Sequence, residues 1–314
     1  IVRTCYEMGA LAAVCDTNAE SLAAVGVGYP GVALCSDLGD MLRRPVDAFV
    51  VATPAQTHLE VAMACLRAGR PVFVEKPLAL SVREGEQILE ASERSGVPVF
   101  VGHVLLYHPA VKELRSLLAR DEIGPVWHLR SRRLNLGIIR STESVWWSFA
   151  PHDIALMLAI LGEEPQAAAA SHSGYLQPGI PDMSYVDFRF NSGRSAHIEV
   201  SWADAQRLSR LEVFGTKGVL VLDDAKSGSS LTLHHCGAKD NGQGKLQAWR
   251  DDAVSIEVPT GQPLACELSA FFDSVANGQA VETDARQGVS VLRALSMADE
   301  AAAVSQMALA GAPA

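Results

Sequence analysis

Four residues carry chemistry beyond what a folded core needs: Asp16, Glu75, Lys76 and His152. Lys76 lies in Glu75-Lys76-Pro77, at the end of an apolar run, with a proline stiffening the backbone behind the ammonium. A lysine held at a reacting hydroxyl stabilises the developing alkoxide and relays its proton. The same residue on an open surface would make only a weak ion pair. His152 stands in Phe149-Ala150-Pro151-His152-Asp153, and an imidazole there can take a proton near neutral pH. The pattern places Pro151 in the first turn of a helix over about 151–161 and makes Asp153 a helix-end charge rather than a catalytic group.

These groups need a scaffold, and its outline is legible. Short apolar strands are expected at 11–15, 32–35, 47–52, 71–74 and 97–101, with helices over about 18–25, 56–68 and 81–95 between them. Ser81 with Glu84 forms a capping box, and Gly69 and Gly96 stop their helices. Alternation of this kind implies a parallel sheet covered on both faces, which binds ligands at the carboxyl ends of its strands. Asp16, Thr53, Glu75, Lys76 and His103 all fall at such ends. An acidic residue in the position of Asp16 accepts hydrogen bonds from adenosine ribose hydroxyls and repels a 2′-phosphate, favouring NAD over NADP. Thr17 and Asn18 follow it, with no arginine to hold a phosphate. The alternative is a loop aspartate that caps the next helix. The glycine-rich phosphate loop is expected ahead of Ile1, because residues 1–8 already look like the back half of a helix.

Beyond about residue 122 the pattern changes to alternating, antiparallel-type strands at 126–136, 186–190, 196–202, 210–214, 219–222, 231–235 and 255–258. Helices over about 264–277 and 285–306 close the chain, with an Ala-rich tail expected to fray after about 300. The fold class is therefore an α/β Rossmann-type domain (1–121) lacking its first strand and glycine loop, then an α+β domain (122–314) with a large open, mainly antiparallel sheet.

Bulk properties exclude several alternatives. The 314 residues carry a formal net charge of −10 without a Lys/Arg-rich stretch, which argues against a nucleic acid or anionic membrane as partner. Six cysteines form no CxxC pair, so they read as thiols of a reducing, cytoplasmic setting, and no His/Cys/Asp spacing suggests a metal. No apolar run has the length of a membrane span.

Several motifs occur in order: Thr53-Pro54 with His58 four residues after the proline, Glu75-Lys76-Pro77, Gly102-His103 ahead of His108-Pro109-Ala110, and Pro151-His152 before an apolar helix. Together they resemble the glucose–fructose oxidoreductase/inositol dehydrogenase (Gfo/Idh/MocA) family along essentially the whole chain. The resemblance implies NAD-dependent oxidation of a sugar hydroxyl. It implies that Lys76 and His152 are the catalytic pair, and that Asp16, Thr53, Pro54, His58, Glu75, Lys76 and His103 line the cofactor. Arg133-Leu134-Asn135-Leu136-Gly137 followed by Trp147–Asp153 is similar to members that oxidise UDP-N-acetylglucosamine at C3 before an aminotransferase acts. Arg133 and Asn135 would then face the substrate with Tyr107, His108 and His152; the alternative places both on the outer face of the sheet. Ser148 and Ala155 stand where many members carry aspartates, and Leu106 where an arginine is common, which argues against a typical inositol dehydrogenase. A free sugar or cyclitol such as myo-inositol is the alternative substrate, and a non-catalytic cofactor-sensing regulator the alternative class. The open sheet leads us to expect a homodimer or homotetramer.

Overall fold

The computed structural model describes residues 1–225 and 228–310. The chain divides into two compact units: 1–102 with 262–289, and 103–261 with the chain from Ser290 onward. The boundary thus falls at Gly102 rather than at 121, and a C-terminal segment returns to the first unit.

The first unit begins with α1 (Val2–Glu7), β1 (Ala13–Cys15), α2 (Ala19–Gly28), β2 (Ala33–Cys35) and α3 (Leu38–Leu42). It continues through β3 (Phe49–Val51), α4 (His58–Arg67), β4 (Val72–Glu75), α5 (Val82–Ser95) and β5 (Val99–Gly102). All pairings are parallel, β1 with β2 and β3–β4–β5 in order. Parallel strands covered on both faces must be apolar throughout, and Val72, Phe73, Val74, Val99, Phe100 and Val101 are all buried. Ser81 caps α5 by accepting the Glu84 amide, and Gly96 ends that helix at a left-handed φ of 68°.

The second unit holds α6 (Pro109–Ala119), β6 (Val126–Leu136), α7 (Val145–Leu161), β7 (Ala167–Ser173) and β8 (Met183–Arg189). Then come β9 (Ser195–Ser201), β10 (Ala203–Gly215), β11 (Gly218–Ala225), β12 (Gly228–Asp240), β13 (Leu246–Arg250) and β14 (Val254–Ile256). They form one nine-stranded sheet ordered β13-β12-β11-β10-β6-β9-β8-β7, with β14 also on β12. Only β6–β9 is parallel among these pairings. Alternation buries Ser184, Val186 and Phe188 of β8 and Ala196, Ile198 and Val200 of β9. The same sheet packs against α7, whose Trp146, Ile154 and Met157 are fully enclosed. Each such apolar side chain contributes roughly 1.5–3 kcal/mol.

α8 (Pro263–Asn277) belongs to the first unit, and α9 (Ala285–Ala310) begins there. Phe271 of α8 meets Phe73 and Phe100 edge-on, with centroids 5.7 and 5.5 Å away. Thr283 accepts the Val101 amide at 2.6 Å and Asp284 bridges to Phe100, so the β5 edge is covered. The assignment of 264–277 to the second domain is corrected by this packing. Two further expectations change. α9 continues through Ala310, the rest of the tail expected to fray lying outside the described residues, and α7 starts at Val145 rather than 151. Ser144 accepts the Trp147 amide and caps α7, so Pro151 lies inside the helix.

Candidate active site

In the first unit, Asp16 follows β1 directly, and its Oδ1 accepts the Asn18 amide at 2.8 Å. Asn18 itself caps α2 by accepting the Glu20 and Ser21 amides at 2.9 and 3.0 Å. The helix-capping alternative for Asp16 therefore fails, because its neighbour does that work. Thr53 and Pro54 follow β3 and are exposed. Thr53 Oγ1 accepts the Thr57 hydroxyl at 2.8 Å.

His58 is buried at 1% exposure, and its ring links two loops. Nδ1 lies 2.8 Å from the Pro77 carbonyl and Nε2 lies 2.9 Å from the Thr53 carbonyl. His58, which is expected to line the cofactor, has both ring nitrogens engaged by backbone. It ties the end of β3 to the turn after Lys76. That turn contains a cis Lys76-Pro77 peptide. Glu75 Oε2 accepts the Lys76 amide at 3.2 Å. Burial pushes the Glu75 carboxyl upward, although the Lys76 amide and ammonium and the His58 ring oppose that shift. Lys76 is half-buried, and His103, immediately after β5, is buried.

In the second unit, Ser131, Arg133 and Asn135 alternate onto one face of β6, with Arg130 and Arg132 on the other. On the outer face Arg130 Nε meets Glu212 at 2.6 Å, with Arg132 and Arg210 at 3.8 and 3.6 Å. Burial alone would raise the Glu212 carboxyl, but these guanidiniums hold it below its ordinary value. On the inner face Arg133 grips Asp153 with two bonds, Nε–Oδ2 at 2.8 Å and Nη2–Oδ1 at 3.0 Å. Ser131 Oγ donates to Asp153 Oδ1 at 2.6 Å, and Arg133 Nη1 donates to Ser209 Oγ at 3.3 Å. Asp153 is only 1% exposed. It lies mid-helix, because α7 starts two turns earlier than expected, so the helix-end role is corrected too. Burial opposes the Arg133 charge, but Asp153 more than offsets it and raises the guanidinium above its ordinary value. The outer-face alternative for Arg133 and Asn135 fails, since Arg133 meets α7.

His108 caps α6: its Nδ1 accepts the Ala110 amide at 3.0 Å. Nε2 therefore carries the hydrogen, 3.1 Å from Ser229 Oγ, whose hydroxyl donates to Asp224 at 2.7 Å. Burial holds the His108 imidazole below its usual range against the pull of Asp224. A small cavity is lined by Leu105, His108, Ser131, Arg133, Asp153 and Asp224. Tyr107 is buried with Lys112 over its ring at 5.6 Å, and His152, next to Asp153, is half-buried. Asp153, Asp224 and Ser229 were not among the expected site residues. Asp153 had a signal, since an acid next to a histidine in an otherwise apolar helix needs a cation. Among the described residues no His/Cys/Asp/Glu group could hold a metal, and no helix is long and apolar enough to cross a membrane.

Comparison with known proteins agrees with this organisation. Residues 3–103 match the model of an oxidoreductase family with an NAD-binding Rossmann fold, and 111–221 match the Gfo/Idh/MocA C-terminal domain. An inositol 2-dehydrogenase from Saccharopolyspora erythraea is 32% identical over 294 residues, covering 85% of this chain and 86% of that protein. A UDP-N-acetylglucosamine 3-dehydrogenase from Acidithiobacillus ferrooxidans is 27% identical over 290 residues, covering 90% and 87%. A solved structure of a UDP-N-acetylglucosamine 3-dehydrogenase from that organism shares the fold, with a TM-score of 0.83, 24% identity and coverage of 96% and 92%. The chain belongs to the Gfo/Idh/MocA family of NAD-binding oxidoreductases.

Proposed function

We propose that this oxidoreductase converts a secondary hydroxyl of a sugar to a ketone, the substrate being a nucleotide sugar oxidised at C3, as in UDP-N-acetylglucosamine. The observation that carries the reading is the support around Lys76. Its amide is held by Glu75 and the carbonyl of the next residue faces His58, so the strand end presents a fixed backbone. A half-exposed carboxylate at Asp16, oriented by the Asn18 amide and followed by no arginine, fits the ribose diol of NAD. NAD⁺, when bound, supplies the hydride acceptor.

In this reading Asp16 accepts the ribose hydroxyls, and Thr53, Pro54, Glu75 and His103 shape the floor on which the dinucleotide rests. Lys76 stabilises the alkoxide as the hydroxyl loses its proton, and His152 takes that proton. Tyr107, His108, Arg133 and Asn135 bind the sugar. Because Arg133 is already paired, we assign it a dual part, holding Asp153 next to His152 while offering its remaining N–H groups to substrate. The name of the Acidithiobacillus relative supports the nucleotide sugar. A free cyclitol is the second reading, favoured by the 32% identity to the inositol 2-dehydrogenase. A C3 ketone would suit transamination, which makes an aminotransferase the expected pathway partner. Half-exposed Trp127 and the charged outer face of the sheet support self-association as a homodimer or homotetramer.

Two measurements test the proposal. NADH absorbance with UDP-sugars against free polyols should show turnover with the former, and turnover with polyols alone would select the second reading. Lys76→Ala should abolish turnover while NAD binding survives; unchanged turnover would overturn the assigned chemistry.

A further inference from the structure

One acid in the first unit has no part in the chemistry above. Glu267 of α8 is fully buried, and neither of its carboxyl oxygens has a hydrogen-bond partner in the protein. Buried carboxyl groups are normally bonded or paired with a cation. Packing brings α8 against β4 and β5. Phe271 sits against Phe73 and Phe100. Four residues back along a helix is about 6 Å, and two residues forward along a strand is about 6.6 Å. Those are the distances of Glu267 from Phe271 along α8 and of Glu75 from Phe73 along β4. The electrostatic influence of Glu75 on Glu267 agrees with this register. Gly102 makes the room: it is paired with Glu75 in the β4–β5 ladder, and a Cβ there would lie 3.0 Å from Glu75 Oε2.

We propose that Glu267 is a positioning residue for Lys76: it remains a neutral carboxylic acid against Glu75, so that the two carboxyl groups carry one negative charge behind the lysine. Its proton is donated toward Glu75 through one bridging water. The groups facing the pair are Lys76 on the strand end and His58 on α4, and Glu75 itself is the charged group facing Glu267. Burial first, and the Glu75 charge second, push the Glu267 carboxyl up to about 9. A second anion here would draw the ammonium back from the substrate. A missing donor would favour protonation of Glu75 and strip Lys76 of its counter-charge, which lowers the pH at which the lysine loses its proton.

The role rests on Lys76 being catalytic, and the test separates the two ideas. Glu267→Gln keeps an N–H donor; Glu267→Leu keeps the volume without one. Infrared spectra should show the carbonyl stretch of a protonated carboxylic acid at pH 7 in the wild type, lost in Glu267→Gln. In kinetics, Glu267→Gln should keep kcat within a few-fold and leave the alkaline limb of the pH profile in place. Glu267→Leu should move that limb to lower pH by a unit or more and reduce kcat several-fold at pH 8, with KM little changed. Absence of the infrared band, or a Gln variant as impaired as the Leu variant, would overturn the proposal, as would a Leu variant with the wild-type profile. If Lys76→Ala retains turnover while the infrared band remains, the assigned chemistry fails and the neutral acid stands.

Discussion

Asp153 and Glu267 are both carboxyl groups enclosed by protein, one in each unit, and they resolve the cost of burial in opposite ways. Asp153 is gripped by two bonds from Arg133 and a third from Ser131. Neither Glu267 oxygen has a hydrogen-bond partner; the charge acting on it is another carboxyl, and its proton is retained well above the ordinary range. A buried acid thus keeps its charge where a guanidinium can reach it and keeps its proton where none can. The residues around each acid, rather than the acid itself, decide its electrical state.

The contrast can be broken from the Asp153 side first. Asp153→Ala should cost about 3–5 kcal/mol, because it leaves the largely enclosed Arg133 charge without its carboxylate. Urea unfolding measures it, and the double variant Asp153→Leu with Arg133→Met should recover most of the loss. The Glu267 side has the opposite pH signature. Its folded value of about 9 lies above the unfolded one, so its proton favours the folded state most at low pH. That contribution is lost as pH rises from about 5 through 9, at up to about 1.4 kcal/mol per pH unit. Glu267→Gln does not titrate, so its stability relative to wild type should grow over this window in thermal melts at stepped pH. A difference that stays flat would show that the proton is not there. The smallest effect sharpens the picture. Ser131→Ala removes one donor while Arg133 still holds Asp153, and should cost only about 1 kcal/mol.

The parts of the site that were legible in sequence are those that local pattern dictates. Strand ends, caps and the Glu75-Lys76-Pro77 turn follow from runs of apolar residues and their punctuation, and β6 falls where its alternation placed it. What was hidden depends on pairing across long stretches of chain. The Thr53 and Pro77 carbonyls on either side of the His58 ring come from two loops that local pattern does not bring together. Asp153 has the look of a helix terminus as long as Pro151 is taken for the first turn. The true start lies at the Ser144 cap, because tertiary burial of Val145 and Trp146 tolerates an interior proline. Glu267 did leave a trace. It sits on the same stripe of α8 as the buried Leu268 and Phe271, where an acid is out of place.

The return of 262–289 to the first unit has a consequence for the order of synthesis. The rings of Phe73 and Phe100 are made early, but Phe271 and the Thr283–Asp284 bridge that cover them and the β5 edge emerge only after all nine strands of the second sheet. On the ribosome the N-terminal unit therefore cannot close until residues 262–289 have emerged, with an apolar surface waiting for a helix still to be translated.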